Sequence, residues 1–206
     1  MGYSNFKKIQ QVVEKFQVKT RVISLFPAIS EILPSDWLTA SLEIAYFAPL
    51  SNEKSKSERL VSPILLEVLS SYREQLSFFS GQELDINAQD DLSGACDFFF
   101  ALSPPSMVLE APIISLAEAK DEDMEWGLAQ CCAQMYASYL FNENQDKKID
   151  CLYGCATTGV EWQFIRFEDN CFYIDRKPMT NLPQILGTWH WIINFFLKND
   201  EYKKSK

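Results

Sequence analysis

Apolar residues recur along the chain with helical spacing in some stretches and with strand alternation in others, and the changes of period divide it into elements. Residues near 4–16 form a short amphipathic helix, Lys19–Leu25 a strand, and residues 36–46 a second helix with Asp36 as its N-cap. The polar run Asn52-Glu53-Lys54-Ser55-Lys56-Ser57 reads as a boundary loop. From Ser57 to about Phe78, the residues Leu60, Ile64, Leu65, Val68 and Leu69 mark one helical face, and Pro63 is expected to shift the first turn or kink it. After Gly81 the period becomes alternating. A short strand at Glu83–Asn87 and a longer one at Ala95–Leu102 lead to a turn at Pro104-Pro105 and a strand at Pro112–Lys120.

Asp121–Glu125 gives an acidic first turn to a helix that runs through Trp126, Gln130, Ala133, Tyr136 and Leu140 to about Asn142. A meander follows: Cys151–Thr157, a Thr158-Gly159 turn, Glu161–Phe167, an Asp169-Asn170 turn, and Cys171–Asp175. Pro183 opens a last helix to about Leu197, before a basic tail of Lys203, Lys204 and Lys206 that frays off the end. The order is helix, three strands, helix, strands, helix. It predicts an α/β domain over residues 51–206, with residues 1–50 as an N-terminal extension packed on it.

Composition narrows the function. With 206 residues, 47% of them hydrophobic and 23% charged, the chain can bury a full core without a disulfide or structural metal. Its six cysteines form no C-x-x-C pair and sit in apolar segments, as expected of buried thiols in the cytoplasm. The single histidine, His190 in Trp189-His190-Trp191, reads as a packed helix residue, which argues against a zinc site or a histidine-based triad. The first residues lack a signal-peptide core and the myristoylation pattern, and no apolar run approaches membrane-spanning length, so no membrane partner is expected. A net charge of −9 argues against a non-specific nucleic-acid coat. Its placement is uneven, however: residues 81–125 hold eleven acids and one base, Lys120, while the rest of the chain is nearly neutral.

That lone lysine lies where chemistry is plausible. Alternation along the Pro112–Lys120 strand puts Ile114, Leu116, Glu118 and Lys120 on one face, ending an apolar stripe on a carboxylate and an ammonium. The preceding strand carries Asp97 inside the run Cys96-Asp97-Phe98-Phe99-Phe100. If the two strands pair antiparallel, Asp97 and Glu118 converge at one sheet end beside Lys120. Two such carboxylates are hard oxygen ligands suited to Mg²⁺ or Mn²⁺. The plainer reading is a structural acid–lysine pair at a strand end. The aromatics Phe98, Phe99, Phe100, Trp162, Phe164 and Phe167 are read as sheet packing.

Gly94-Ala95-Cys96-Asp97, then Glu118-Ala119-Lys120, then a helix bearing Gln130 resembles the PD-(D/E)XK nuclease superfamily. The resemblance covers roughly residues 57–175. Gly127-Leu128-Ala129-Gln130 through Gln134-Met135-Tyr136, then Tyr153-Gly154 and Thr157-Thr158-Gly159 with Trp162, look like short stand-alone cyanobacterial members, mostly uncharacterised. The resemblance implies a restriction endonuclease-like core of helix, three strands, helix and strand. It implies a divalent metal held by Asp97, Glu118 and the Ala119 carbonyl, with Lys120 aiding a nucleophilic water in phosphodiester hydrolysis, most simply of DNA. Ser57-Glu58-Arg59-Leu60-Val61 is similar to the first-helix start of junction resolvases, which makes Glu58 an outer acid and Glu67 the second choice. Nine helical residues separate the two by about 900°, so both should not reach one site. The family's helix glutamine carries over as Gln130, while its Q-x-x-x-Y tyrosine is replaced here by Gln134. Two other readings stand beside the nuclease: a catalytically silent binding or assembly module of the same fold, favoured by the scarcity of basic surface, and a subunit whose DNA affinity comes from a partner or a homodimer.

Overall fold

The computed structural model describes residues 2–204. A seven-stranded mixed sheet, in the order β1-β7-β6-β5-β4-β3-β2, runs through the middle of an α/β fold. Its strands are β1 (Lys19–Ile23), β2 (Ser77–Glu83), β3 (Ala95–Ala101), β4 (Ile113–Ala119), β5 (Leu152–Thr157), β6 (Trp162–Glu168) and β7 (Cys171–Asp175). The helices are α1 (Ile9–Phe16), α2 (Asp36–Ala45), α3 (Glu53–Lys56), α4 (Ser62–Ser70), α5 (Met124–Asn144) and α6 (Leu182–Lys204).

The two central strands, β4 and β5, are buried along their whole length and run parallel across the α5 crossover. Their flanks, β2–β3–β4 and β5–β6–β7, are antiparallel. Strands buried on both faces need helices on both sides. One core layer gathers Leu38 of α2, Leu65 and Val68 of α4, and Trp189 and Ile192 of α6. The opposite layer gathers Val12 of α1 with Ala133 and Met135 of α5. Gly154 lets α5 approach β5, because a Cβ there would collide with Met135 Sδ. Residues 2–50 are built into this fold: β1 is an edge strand parallel to β7, and α1 stacks Phe16 on Tyr136 of α5 with ring centroids 4.4 Å apart.

The structure departs from the sequence reading at several local points. Ser35, not Asp36, caps α2, its Oγ accepting from Leu38 N at 3.2 Å. The expected boundary loop is instead the helical turn α3, because Asn52 Oδ1 accepts from Ser55 N at 2.9 Å. Between α3 and α4 lies a π-helical turn, Ser57–Val61, directly before Pro63. Proline has no N–H for the carbonyl four residues back, and the widened turn absorbs that loss, as the kink expectation required. The helix ends at Ser70, not Phe78, and the strand is Ser77–Glu83 rather than Glu83–Asn87. There Phe78 packs on Phe100 and Phe79 on Phe99 across the β2–β3 ladder, contacts that require alternation.

Asp123, rather than the acids ahead of it, caps α5 through Trp126 N at 2.9 Å. The β3–β4 register shifts between Phe100 and Ala101, so Ile114 falls in the core layer opposite Leu116 instead of sharing its face. The last helix outruns Leu197, and Lys206 of the basic tail lies outside the described residues. Among the described residues no helix is long and apolar enough to cross a membrane.

Candidate functional site

Antiparallel pairing of β3 with β4 is what assembles the site. Phe98 pairs with Ala117, which carries Asp97 to the end of β4. There Asp97 Oδ2 accepts from Ala119 N at 2.8 Å. Lys120 is the first residue beyond β4, and its N–H donates to Thr157 O at 2.8 Å, extending the β4–β5 pairing past the strand end.

Glu118 and Lys120 are both buried, at 3% and 7% exposure. Lys120 Nζ stands 2.9 Å from Glu118 Oε1 and 3.2 Å from Glu53 Oε1. The other Glu118 oxygen accepts from Gln134 Nε2 at 2.8 Å. Lys120 Nζ also lies 5.4 Å from the centre of the Trp126 ring, inside cation–π range.

The electrostatics follow from this crowding. Burial raises the Glu118 carboxyl well above its ordinary range, and the Asp97 charge adds to it, against Lys120 and Gln134. Burial raises Asp97 as well, opposed by the Ala119 N–H and Lys120 and reinforced by Glu53. Burial alone would lower the Lys120 ammonium, but Glu118, Glu53 and Asp97 outweigh it and raise it. The cluster sets Asp97, Glu118 and Glu53 around a single ammonium, a crowding that proton uptake by the buried carboxyls relieves and that a cation could relieve as well.

A cleft of about 330 Å³ opens beside Asp97, lined also by Glu53, Glu58, Ser80 and Gly81. Glu58 thus faces the same cleft as Asp97, from the π-helical turn, and is largely exposed with Lys54 at 3.7 Å. Glu67 is elsewhere engaged: its two oxygens accept from Ser35 N and Ser35 Oγ, each at 2.8 Å. Gln130 is buried on α5 one turn from Gln134. The Trp126 Nε1, Gln130 Oε1 and Gln134 Oε1 atoms, four residues apart in turn along α5, are buried without a protein hydrogen-bond partner. His190 is packed as expected, with Nδ1 2.8 Å from Tyr72 Oη, and all six cysteines are free and buried.

Sequence reasoning missed Glu53, which bridges the cleft and Lys120. The signal available was the Asn52-x-x-Ser55 capping box, which marks a helix start and not a loop.

As a donor set for a metal, Asp97 and Glu118 with a strand-end carbonyl at Ala119 supply only oxygen. Among the described residues no group of three or more His, Cys, Asp or Glu side chains stands close enough to hold an ion. Mg²⁺ accepts such a sparse set, since it keeps several waters and binds through one or two carboxylates. Such an all-oxygen set is of the chemical type that a hard divalent cation accepts, and it is too sparse for a cation that needs an all-protein cage. No protein-family model matches the chain, and no curated protein matches it.

Proposed function

We propose that the protein is a divalent-metal-dependent nuclease of the PD-(D/E)XK type, hydrolysing phosphodiester bonds in DNA. The observation that carries this reading is the Asp97–Glu118–Lys120 cluster: two carboxylates and a buried ammonium at one sheet end, with an open cleft beside Asp97. The element order α4, β2, β3, β4, α5, β5, with β4 and β5 parallel, agrees with the helix, three strands, helix and strand of a restriction endonuclease-like core.

In this reading Asp97, Glu118 and the Ala119 carbonyl hold Mg²⁺ or Mn²⁺. When bound, the metal supplies Lewis-acid polarisation of the phosphoryl oxygen and a more acidic water. Lys120, kept protonated by its carboxylate neighbours, orients the attacking water and offsets charge developing on the phosphate. Gln134 fixes the Glu118 carboxylate by holding Oε2, and the Ala119 N–H fixes Asp97. Glu58 supplies an outer acid across the cleft, and Glu67 does not, being committed to Ser35.

A second reading, a catalytically silent module of the same fold, is favoured by one observation: both Glu118 oxygens already have protein partners. Calorimetric titration with Mn²⁺ separates the two. The nuclease reading expects binding to the wild type and loss of binding in Asp97→Ala and Glu118→Ala. Absence of binding in all three proteins removes the metal site.

A further inference from the structure

The nuclease reading leaves a physical difficulty, because polynucleotide affinity comes largely from ammonium and guanidinium contacts to phosphates, and the site lies in the acidic part of the chain. The compensating charge lies in the N-terminal segment. Residues 1–21 hold five bases, Lys7, Lys8, Lys15, Lys19 and Arg21, against the single acid Glu14. One of these reaches the Trp126 ring that Lys120 also approaches. Lys7 Nζ lies 5.7 Å from the centre of the Trp126 ring, and Lys120 Nζ lies 5.4 Å from the same centre. Those two distances put the ammonium nitrogens no more than about 11 Å apart.

The segment that delivers Lys7 is fixed. Gln11 Oε1 accepts from Lys7 N at 2.7 Å and from Lys8 N at 2.9 Å. On either side of Asn5, Tyr3 and Phe6 are buried, and Tyr3 Oη donates to Leu84 O at 2.5 Å. The Asn5 amide donates to Asp91 Oδ1, and Lys15 pairs with the other oxygen of that carboxylate. Lys15 and Lys56 are thereby occupied, the latter by Asp121. Lys7, by contrast, is exposed and has no carboxylate partner among the described residues.

We propose that Lys7 is a substrate-binding residue: it contacts a backbone phosphate next to the one attacked at Lys120, with the Trp126 indole as the common support of both ammonium groups. This inference rests on the nuclease reading and deepens it. It defines the substrate as a polynucleotide with consecutive phosphates, and it makes the N-terminal segment part of the site and not a separate extension. A terminal monophosphate would engage Lys120 and gain nothing from Lys7.

The test is metal-free binding of a fluorescein-labelled DNA duplex across a salt series, on the full chain, as wild type, Lys7→Gln and Lys7→Arg. Lys7 is exposed and its backbone bonds do not involve its ammonium, so the variants are expected to fold, with near-unchanged thermal midpoints as the check. Loss of one phosphate contact lowers the slope of log K against log salt by about one and weakens binding across sequences, whereas Lys7→Arg retains the slope. With Mg²⁺ added, Lys7→Gln is expected to raise KM and leave kcat unchanged. If wild type and Lys7→Gln share one slope and one affinity, the inference is overturned while the nuclease reading stands. If the wild type binds with the expected slope loss in Lys7→Gln yet cleaves nothing, the phosphate contact stands and the nuclease reading fails. If the wild type binds no duplex, the inference is overturned, and the nuclease reading then stands or falls on Mg²⁺-dependent cleavage.

Discussion

Removing one partner of the Glu118–Lys120 pair at a time gives a sharp asymmetry. Lys120 has a second partner in Glu53 at 3.2 Å, whereas Glu118 has no other cation within salt-bridge distance among the described residues. Breaking a buried pair so that one charge is stranded costs about 3–5 kcal/mol. Lys120→Met strands Glu118, which is 3% exposed, and should approach that cost only where pH is high enough to keep the stranded carboxyl ionised. For a chain of this size the loss corresponds to a thermal midpoint lower by roughly 6–20 °C. Glu118→Gln leaves Lys120 paired to Glu53, and its amide can accept from Lys120 while donating to the otherwise unpartnered Gln134 Oε1 once the Gln134 amide turns over, so its cost should be about 1 kcal/mol.

The pH dependence follows from the direction of the Glu118 shift. Its folded carboxyl lies above the ordinary 4.5, so the folded state holds more protons than the unfolded one and stability falls as pH rises through that window. Without Lys120 the shift grows, so the Lys120→Met penalty should be small near about pH 5.5, where Glu118 is protonated in both proteins, and larger near about pH 8.5, though short of the full figure because the stranded carboxyl takes up a proton instead. Urea unfolding of both variants at these two pH values measures it. Equal costs for the two substitutions, or a Lys120→Met cost that does not change with pH, would refute the reasoning.

Three further outcomes are expected. Gly154→Ala forces a Cβ against Met135 Sδ and to 2.9 Å from Cys131 Sγ, and urea unfolding should show a loss of about 1–3 kcal/mol. Glu67→Ala removes two bonds to Ser35 and should lower stability by about 1 kcal/mol while leaving DNA cleavage unchanged; a loss of cleavage would place Glu67, not Glu58, at the site. Burial lowers the His190 imidazole below its ordinary 6.5, with Glu67 opposing. The unfolded chain therefore takes up a proton that the folded one refuses, and this residue's contribution to stability falls as pH drops below 6.5. Comparing wild type with His190→Gln between about pH 7.5 and about pH 5.5 should show the wild type losing more; parallel profiles contradict it.

The sequence shows most clearly the elements whose signal is local. The β5–β6–β7 meander alternates between unambiguous turns, and the Pro104-Pro105 turn makes β3 and β4 antiparallel neighbours, which brings Asp97 to Glu118. Other features are set by packing. Leu69, Tyr72, Leu76 and Phe79 keep helical spacing across the α4–β2 junction, so periodicity extends the helix past its end at Ser70. The shift that moves Ile114 to the other core layer depends on how β4 meets β3, which no spacing along one strand reveals. The pairing of β1 with β7 joins Lys19 to Cys171 from distant parts of the chain, and only tertiary contacts decide that edge. The same holds for Glu53, which meets Lys120, and for Lys7, which meets the Trp126 ring; the Asn52–Ser55 capping box marks the turn that carries Glu53 but not where that turn lands.

Asp97, Glu118 and Lys120 are proposed to form a metal-dependent phosphodiester-hydrolysing site. Cleavage of supercoiled plasmid, with Mg²⁺ and with EDTA, tests it most directly. Cleavage by the wild type is expected in Mg²⁺ alone, with rates reduced by a factor on the order of 100 or more in Asp97→Ala, Glu118→Ala and Lys120→Ala. Equal background cleavage by the wild type and all three variants would contradict it.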